Sequence, residues 1–262
     1  MKVELNPARI YRKYRTRQRA VRLTKIAHGY NFEGYKRLYH FHARKTAGTT
    51  VAKIFMSATG CDGGQLYQQL SAATDRQLLC QNLIFVGWDK KLIESGEYYF
   101  GFSHIPFDDL ALPDQTFRFT VLRDPIERVL SHYRMLLNFS KQDDPHESFA
   151  EEKHWLGNSF DEFLDRIPRE HLQNQLFMFS KKFDPDEAVS RVLDLEHTIL
   201  FEQLAHGLNR LGNLVGKPMG IRHDRKGHSQ FEISQQDHDK LKQMLEPECE
   251  FYAAVAKKIG KS

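Results

Sequence analysis

Short apolar runs separated by amphipathic stretches recur along this chain. Five runs predict buried strands, at residues 38–41, 83–86, 98–102, 117–122 and 198–201. Apolar residues at helical spacing predict helices over residues 51–56, 74–82, 126–137, 160–167, 186–195 and 204–215, and a terminal helix capped by Ser234. The alternation predicts an α/β fold, with a mostly parallel sheet and flanking helices.

Polar stretches between these elements predict loops at residues 57–69, 138–158 and 216–229, the last of them basic. Pro247 is expected to break or kink the terminal helix. The chain of 262 residues suits one large domain, or one domain with appendages. We place a single domain over residues 37–262 and an N-terminal arm or helix over residues 1–36.

The N-terminal arm is strongly basic. Between residues 1 and 25 it carries nine Lys or Arg residues against one acid, Glu4. Such an arm suits an anionic glycan, a membrane surface or nucleic acid, but a solvated or partly disordered arm without a ligand is the simpler interpretation. The net charge of the whole chain is only +4, which permits an anionic ligand without demanding nucleic acid.

Cysteine use and hydropathy bear on location. Cys61, Cys80 and Cys249 are scattered, with neither metal spacing nor a disulfide framework, which favours a reducing compartment. No apolar run approaches the roughly 20 residues that span a bilayer, and no apolar core marks a signal peptide. We expect a cytoplasmic protein.

A loop of small and hydroxyl residues follows the first predicted strand. Its residues are Lys45, Thr46, Ala47, Gly48, Thr49 and Thr50. A strand, a tight loop and a helix start form a phosphate site, because the first N–H groups of a helix lack internal partners. Gly48 allows close backbone approach, and the threonines and Lys45 offer donors and a charge. A helix start without a ligand is the alternative.

The loop is not a Walker A motif, which has the pattern G-x-x-x-x-G-K-[ST]. With Lys45 as its lysine, the glycine positions hold Tyr39 and Arg44. An ordinary ATPase or GTPase is therefore disfavoured.

A second motif follows the fourth predicted strand. Asp124 suits a helix N-cap and Pro125 the first helical position, so Arg123 is expected at the carboxyl end of a strand. Ser131 lies about two turns into the helix. Ligands of open α/β folds bind at this edge of the sheet, and Arg offers a planar fork for phosphate oxygens. The alternative is a helix cap with Ser131 on a solvated face.

Together the two segments resemble the nucleotide-binding motifs of carbohydrate sulfotransferases that use 3′-phosphoadenosine 5′-phosphosulfate (PAPS). The Golgi-type loop is similar to P-K-T-[AG]-[GS]-T-[ST], with Arg44 here in place of Pro, and the second motif is R-D-P-x-x-R-x-x-S-x-Y. The resemblance to Golgi enzymes, which a membrane helix tethers, makes the Golgi lumen the alternative location if such an anchor has been removed. The resemblance also implies a P-loop-like sulfotransferase fold. It also implies that residues 45–50 hold the 5′-phosphosulfate and that Arg123 and Ser131 hold the 3′-phosphate.

Residues 99–107 resemble the G-H-x-x-[FY] segment of the uronyl 2-O-sulfotransferase branch. That likeness places His104 on the catalytic histidine, while Phe102 stands where a second histidine is common. A structural or substrate-orienting role for His104 is the alternative. The Glu base of the 3-O-sulfating branch has no counterpart in residues 51–56.

Weaker likenesses extend the resemblance to roughly residues 37–255. The segments are Asn174-Gln175, Phe201-Glu202, the closing loop with Arg225 and Lys226, and Glu250-Phe251-Tyr252. The resemblance implies that Arg225 and Lys226 bind the cofactor. We assign no role to Asn174-Gln175.

The sequence thus predicts a PAPS-dependent sulfotransferase that acts on a hydroxyl, with a carbohydrate as the expected acceptor. His104 would take the acceptor proton, and Lys45 would stabilise charge on the departing phosphate. The chemistry requires no metal. The rivals are a nucleotide-dependent kinase with a degenerate phosphate loop and a catalytically silent glycan- or nucleic-acid-binding module.

Overall fold

A six-stranded sheet lies at the centre of the part of the chain that the structure describes. The computed structural model describes residues 30–143, 147–217, 219 and 233–260. The strands are β1 (Arg37–Phe41), β2 (Gln77–Cys80), β3 (Leu83–Gly87), β4 (Phe100–Ser103), β5 (Thr116–Leu122) and β6 (His197–Leu200). Their order is β2-β3-β4-β1-β5-β6, and every neighbouring pair is parallel except β2 with β3. The predicted α/β fold with a mostly parallel sheet is confirmed.

Helices cover both faces of this sheet. They are α1 (Gly48–Ser57), α2 (Gly63–Ala72), α3 (Lys90–Ser95), α4 (Pro125–Phe139), α5 (Glu147–Glu152), α6 (Phe160–Arg166), α7 (Arg169–Leu172), α8 (Asn174–Phe179), α9 (Pro185–Leu193), α10 (Leu204–Leu214), α11 (Gln235–Met244) and α12 (Glu246–Ile259). The break between α11 and α12 falls at Leu245, just before Pro247, as predicted. Among the described residues, none of the helices has the length and apolar character to cross a bilayer.

Alternating side chains of the strands enter two cores. Leu38 of β1 packs with helices α1, α2 and α10, whereas the next residue, Tyr39, packs with α8, α9 and α12. In the first core the rings of Phe55 and Phe100 stack at 4.2 Å between centroids. Tyr30 joins this core and donates its hydroxyl hydrogen to the carbonyl of Val215. The two cores sandwich the sheet and fix its carboxyl edge.

Two sequence predictions near β2 are wrong. Residues 57–69, predicted as a loop, contain the start of α2, whose first turn is capped by the Asp62 carboxylate. Residues 74–82, predicted as a helix, contain β2. Gln81 and Asn82 both have positive φ, as a tight hairpin turn requires, and this turn pairs β2 with β3. Strand pairing overrides the local helical pattern here.

The predicted loop over residues 138–158 is also wrong in part. It contains the end of α4, helix α5 and a 3₁₀ turn, Lys153–Trp155. Trp155 is buried against the helices that follow, which gives this polar stretch an apolar anchor. The consequence for the candidate site is that Glu152 is held inside the protein.

Candidate active site

The loop after β1 has an unusual backbone. Lys45 and Ala47 both have positive φ, 67° and 71°, whereas Thr46 between them does not. Left-handed conformations of residues other than glycine cost roughly 1–3 kcal/mol each and concentrate at functional sites. The hydroxyl of Thr46 donates to the carbonyl of Ala43 at 2.8 Å and holds the turn from within. Successive N–H groups in such turns form a concave cradle for anions.

Residue 48 must be a glycine because a histidine ring lies directly against it. A Cβ atom at this position would lie 1.8 Å from the ring atom Nε2 of His42. His42 is the first residue after β1, and its buried ring fills the space beneath the start of α1. The loop therefore closes over the histidine only because residue 48 has no side chain.

Helix α1 begins without a side-chain cap. Its N-cap residue is Ala47, and no acidic residue occupies its first turn. By contrast, Asp62, Asp89, Asp124 and Asp184 cap later helices with their carboxylates. The side chains of Thr49 and Thr50 are exposed at the same end. The first amides of α1 and these hydroxyls can therefore serve an external anion.

Lys45 points across the loop towards α4. Its Nζ donates to the thioether sulfur of Met135 at 3.3 Å, a weak acceptor. Burial, together with the nearby guanidinium groups of Arg123 and Arg44, lowers the pKa of Lys45 to about 8. A partly buried ammonium beside other cations is stabilised by an arriving anion.

Arg123 lies at the carboxyl end of β5, as predicted, and touches the same loop. Its Nη1 donates to the carbonyl of Lys45 at 3.3 Å, and its guanidinium lies 4.4 Å from the ring centre of Phe201. The Oε2 atom of Glu127, one turn into α4, lies 3.6 Å from Nη2 of Arg123. The Nε atom is buried without a hydrogen-bond partner among the described residues. Arg123 is thus oriented but retains donor capacity.

Three residues support the turn that carries Arg123. Gln175 accepts from the Arg123 amide at 2.7 Å and donates to its carbonyl at 2.9 Å. Glu202 accepts from the Asp124 amide at 3.0 Å and, through its other oxygen, from the hydroxyl of Tyr252 at 2.7 Å. The weak sequence likenesses at Gln175, Phe201-Glu202 and Tyr252 therefore meet around one arginine.

Arg128, the second arginine of the R-D-P-x-x-R motif, has a different environment. Arg128 is fully buried, and its Nε is 3.1 Å from the carboxylate of Glu248, which is also fully buried. The other oxygen of Glu248 accepts from the amides of Gln175 and Leu176 at the start of α8. Arg128 therefore braces α4, α8 and α12 together and does not face the loop.

His104 follows β4 and lies beside the loop on the side opposite Arg123. Its Nδ1 is 2.7 Å from the carbonyl oxygen of His42. A carbonyl only accepts, so Nδ1 carries the hydrogen and Nε2 retains a lone pair. The hydroxyl of Ser103 accepts from the amide of Ile105 and is paired with Tyr39, which fixes the chain on both sides of His104.

His104 is exposed to solvent, but many protein atoms lie close to its ring. Desolvation by that surrounding protein lowers the pKa of His104 to about 4, against the opposing effect of the bond to His42. Two buried histidine rings lie behind it, with centroid distances of 4.4 Å from His104 to His42 and 5.3 Å from His42 to His40. Burial likewise lowers the pKa of both, so the row is neutral.

Arg44, which replaces the proline of the Golgi-type loop, anchors this loop. Its amide donates to Asn174 Oδ1 at 2.8 Å, and its guanidinium is paired with the buried carboxylate of Glu152. The second oxygen of Glu152 is 2.8 Å from Nε2 of His132. Burial lowers the pKa of His132 to about 4. The neutral ring therefore donates to a charged carboxylate.

The structure brings most of the predicted residues to one edge. Lys45 to Thr50, His104 and Arg123 meet there, and Ser131 lies two turns into α4 with a partly exposed side chain. Arg225 and Lys226 lie outside the described residues. Sequence reasoning missed Glu152, because its helix lies in a stretch predicted to be a loop. It left Gln175 without a role, although the Asn174-Gln175 likeness was its signal.

A comparison with protein families gives one match over most of the chain. The model of the sulfotransferase family matches residues 28–252. No curated protein matches the sequence.

Solved structures give distant similarities. A sulfotransferase from Alicyclobacillus acidocaldarius is 13% identical, with a TM-score of 0.39, over 85% of this chain and 95% of that one. Retinol dehydratase in complex with androsterone and inactive cofactor PAP is 14% identical, with a TM-score of 0.28, over 91% of this chain and 74% of that one.

Proposed function

The chain belongs to the sulfotransferase family, and we propose that it transfers a sulfuryl group from PAPS to an acceptor hydroxyl, with a carbohydrate as the acceptor class. The proposal rests on one observation. Two main-chain carbonyls of the loop after β1 accept hydrogen bonds from side chains that lie on opposite sides of this loop. The carbonyl of Lys45 accepts from Arg123, and that of His42 accepts from His104. An anion-binding loop, a cation and a neutral base are thereby held together.

The residues of the loop fit the 5′ end of such a nucleotide. Ala47 leaves the first amides of α1 without a side-chain cap, and Lys45 adds an ammonium that donates to the thioether of Met135, a weak acceptor. Thr49 and Thr50 add exposed hydroxyls, while Thr46 and Gly48 contribute main-chain N–H groups. These donors would stabilise negative charge that develops on the leaving phosphate.

Arg123 and Ser131 fit the 3′-phosphate of the same nucleotide. The buried Nε of Arg123, without a partner among the described residues, is the observation that supports this part of the proposal. A guanidinium can bind two phosphate oxygens with parallel hydrogen bonds. We also propose Arg225 and Lys226 as cofactor contacts, on the family resemblance of their segment alone.

His104 is proposed as the general base. Its Nδ1 hydrogen is held by His42, so Nε2 is left to accept the acceptor proton. When bound, PAPS supplies the sulfuryl group, and transfer leaves 3′-phosphoadenosine 5′-phosphate (PAP), the sulfated acceptor and a proton. No metal is part of the proposal.

The carbohydrate acceptor rests on the likeness of residues 99–107 to the uronyl 2-O-sulfotransferase branch. The experiment is transfer from PAPS labelled with radioactive sulfur to a panel of uronate polysaccharides, neutral sugars and simple phenols. Label in a polysaccharide supports the proposal, and label only in phenols contradicts the acceptor class. The cytoplasmic location and the domain boundary at residue 36 remain predictions, and residues 1–29 lie outside the described residues.

A further inference from the structure

Two cysteines that are far apart in the sequence lie side by side. Cys61 is in the turn between α1 and α2, and Cys80 is the last residue of the edge strand β2. Their sulfur atoms are 3.2 Å apart, and both residues are half-buried. Because the helical pattern of residues 74–82 concealed β2, the sequence spacing gave no sign of this pair.

Polar groups around the pair distinguish its two members. Cys80 lies 3.6 Å from the hydroxyl of Thr59, and the same hydroxyl accepts from the amide of Cys61 at 3.3 Å. Hydrogen bonds from Cys80 and Thr59 lower the pKa of Cys61, whereas burial raises the pKa of Cys80. The thiolate forms more readily at Cys61, and the thiolate is the reactive species.

We propose that Cys61 and Cys80 are a redox modification site that closes to a disulfide in the presence of a peroxide. The Cys61 thiolate attacks one peroxide oxygen, forming a sulfenic acid and releasing hydroxide. The Cys80 thiolate then attacks the sulfenic sulfur, the S–O bond breaks, and a second hydroxide leaves. With hydrogen peroxide, two thiols lose two electrons and two protons, and one peroxide becomes two waters. A dithiol reductant reverses the reaction by exchange.

The disulfide would close the chain segment that contains α2. That helix carries Tyr67, whose hydroxyl is 3.4 Å from the Thr49 hydroxyl in the phosphate loop, and whose ring stacks on Phe102 at 6.1 Å. A covalent link between Cys61 and Cys80 therefore fastens the helix beside the candidate site. Cross-linking residues 19 positions apart reduces the entropy of the unfolded chain, so the oxidised form should be the more heat-stable one.

The test exposes the full chain to a small excess of hydrogen peroxide and counts free thiols. The proposal expects the count to fall from three to one, and dithiothreitol to restore it. Trypsin cuts after Arg76, between the two cysteines, so mass spectrometry should find their peptides joined within a monomer. The melting temperature of the oxidised protein should be higher by about 5 °C or more.

Two variants complete the test. Cys249→Ser is the matched control, because burial raises the pKa of Cys249 to about 11 and this thiol lies on α12. In that variant the count should fall from two to none. In Cys61→Ser it should stay at two. The proposal is overturned if wild-type protein keeps three thiols, if the sulfurs are lost as sulfinic acids without joined peptides, or if Cys61→Ser loses the Cys80 thiol as fast as wild type.

Discussion

The Nδ1 atom of His104 lies 2.7 Å from the main-chain oxygen of His42, the residue that follows β1. This bond holds the imidazole at the loop after β1 and determines its tautomer. The proposed base is thus oriented by the backbone of the loop that is proposed to hold the leaving phosphate.

The first prediction is that His104→Ala lowers kcat by roughly 10²–10⁴-fold, the usual span for removal of a general base. Affinity for PAP should barely change, because in the proposed role Nε2 accepts the acceptor proton and does not bind the nucleotide. The lowered pKa places the ascending limb of kcat/KM near pH 4 in wild type, instead of near the ordinary histidine value of 6.5. Steady-state kinetics and calorimetry measure both quantities. A variant that keeps a tenth of wild-type kcat, with chemistry rate-limiting, would rule out the base.

The second prediction concerns the charge of Lys45. With its pKa lowered to about 8, Lys45 is an ammonium below that pH and loses its charge above it. The pKa of about 8 belongs to the ligand-free protein, so the affinity for PAP should weaken as the pH rises through 8. Lys45→Ala should remove this dependence and reduce turnover by about 10²-fold or more.

Lys45→Arg is the matched variant for that prediction. It keeps the charge at high pH, so the loss of PAP affinity near pH 8 should vanish. Turnover should stay below wild type, because a planar guanidinium cannot reproduce the compact ammonium. A wild-type pH dependence in Lys45→Arg would assign the titration to another group.

The third prediction concerns Gly48. Gly48→Ala places a methyl group on the His42 ring, so the loop must move. We expect PAP affinity to fall at least tenfold and the protein to lose about 1–3 kcal/mol of stability, the usual cost of overpacking. Adding His42→Ala removes the ring and should recover part of the PAP affinity lost on Gly48→Ala. No recovery in the double variant would mean that Gly48 is needed for another reason.

The fourth prediction concerns Glu152. Glu152→Gln leaves Arg44 beside a neutral amide in a largely buried site, and removing one partner of such a pair costs roughly 3 kcal/mol. Denaturant unfolding measures this loss, and PAP affinity should fall with it because Arg44 anchors the loop. Glu151→Gln is the control, since Glu151 lies next to Glu152 on the same helix and is exposed. Equal stability of the two variants would contradict the anchoring role.

The parallel strands β1, β4, β5 and β6 were well predicted from the sequence. Each contains or overlaps a short apolar run, and such a run can be recognised from a few neighbouring residues alone. The prediction failed at β2, where pairing with β3 outweighs a helical pattern. The same limit applies to the candidate site. Lys45 and Arg123 belong to contiguous motifs that can be recognised, whereas Glu152 acts through Arg44, 108 residues away, and no local pattern encodes that pairing.

Supporting residues were also beyond sequence reasoning for a physical reason. Gln175 acts on the backbone of Arg123, 52 residues away, through both ends of its side-chain amide. Such contacts depend on the path of the chain around the sheet, which spacing along the sequence does not contain. The pKa of His104 likewise depends on the surrounding protein, so its shift from the ordinary value could not be predicted from residue type.

Calorimetric titration of the full chain with PAP and with ADP tests the proposed cofactor site most directly. We expect wild type to bind PAP more tightly by about 100-fold or more, since only PAP carries a 3′-phosphate for Arg123. Arg123→Ala should weaken PAP binding by roughly 30- to 1000-fold, equivalent to about 2–4 kcal/mol, with little effect on ADP. Arg166→Ala, a change at an exposed helix position, should alter neither. Equal affinity of wild type for PAP and ADP, or binding of neither, would contradict PAPS as the co-substrate.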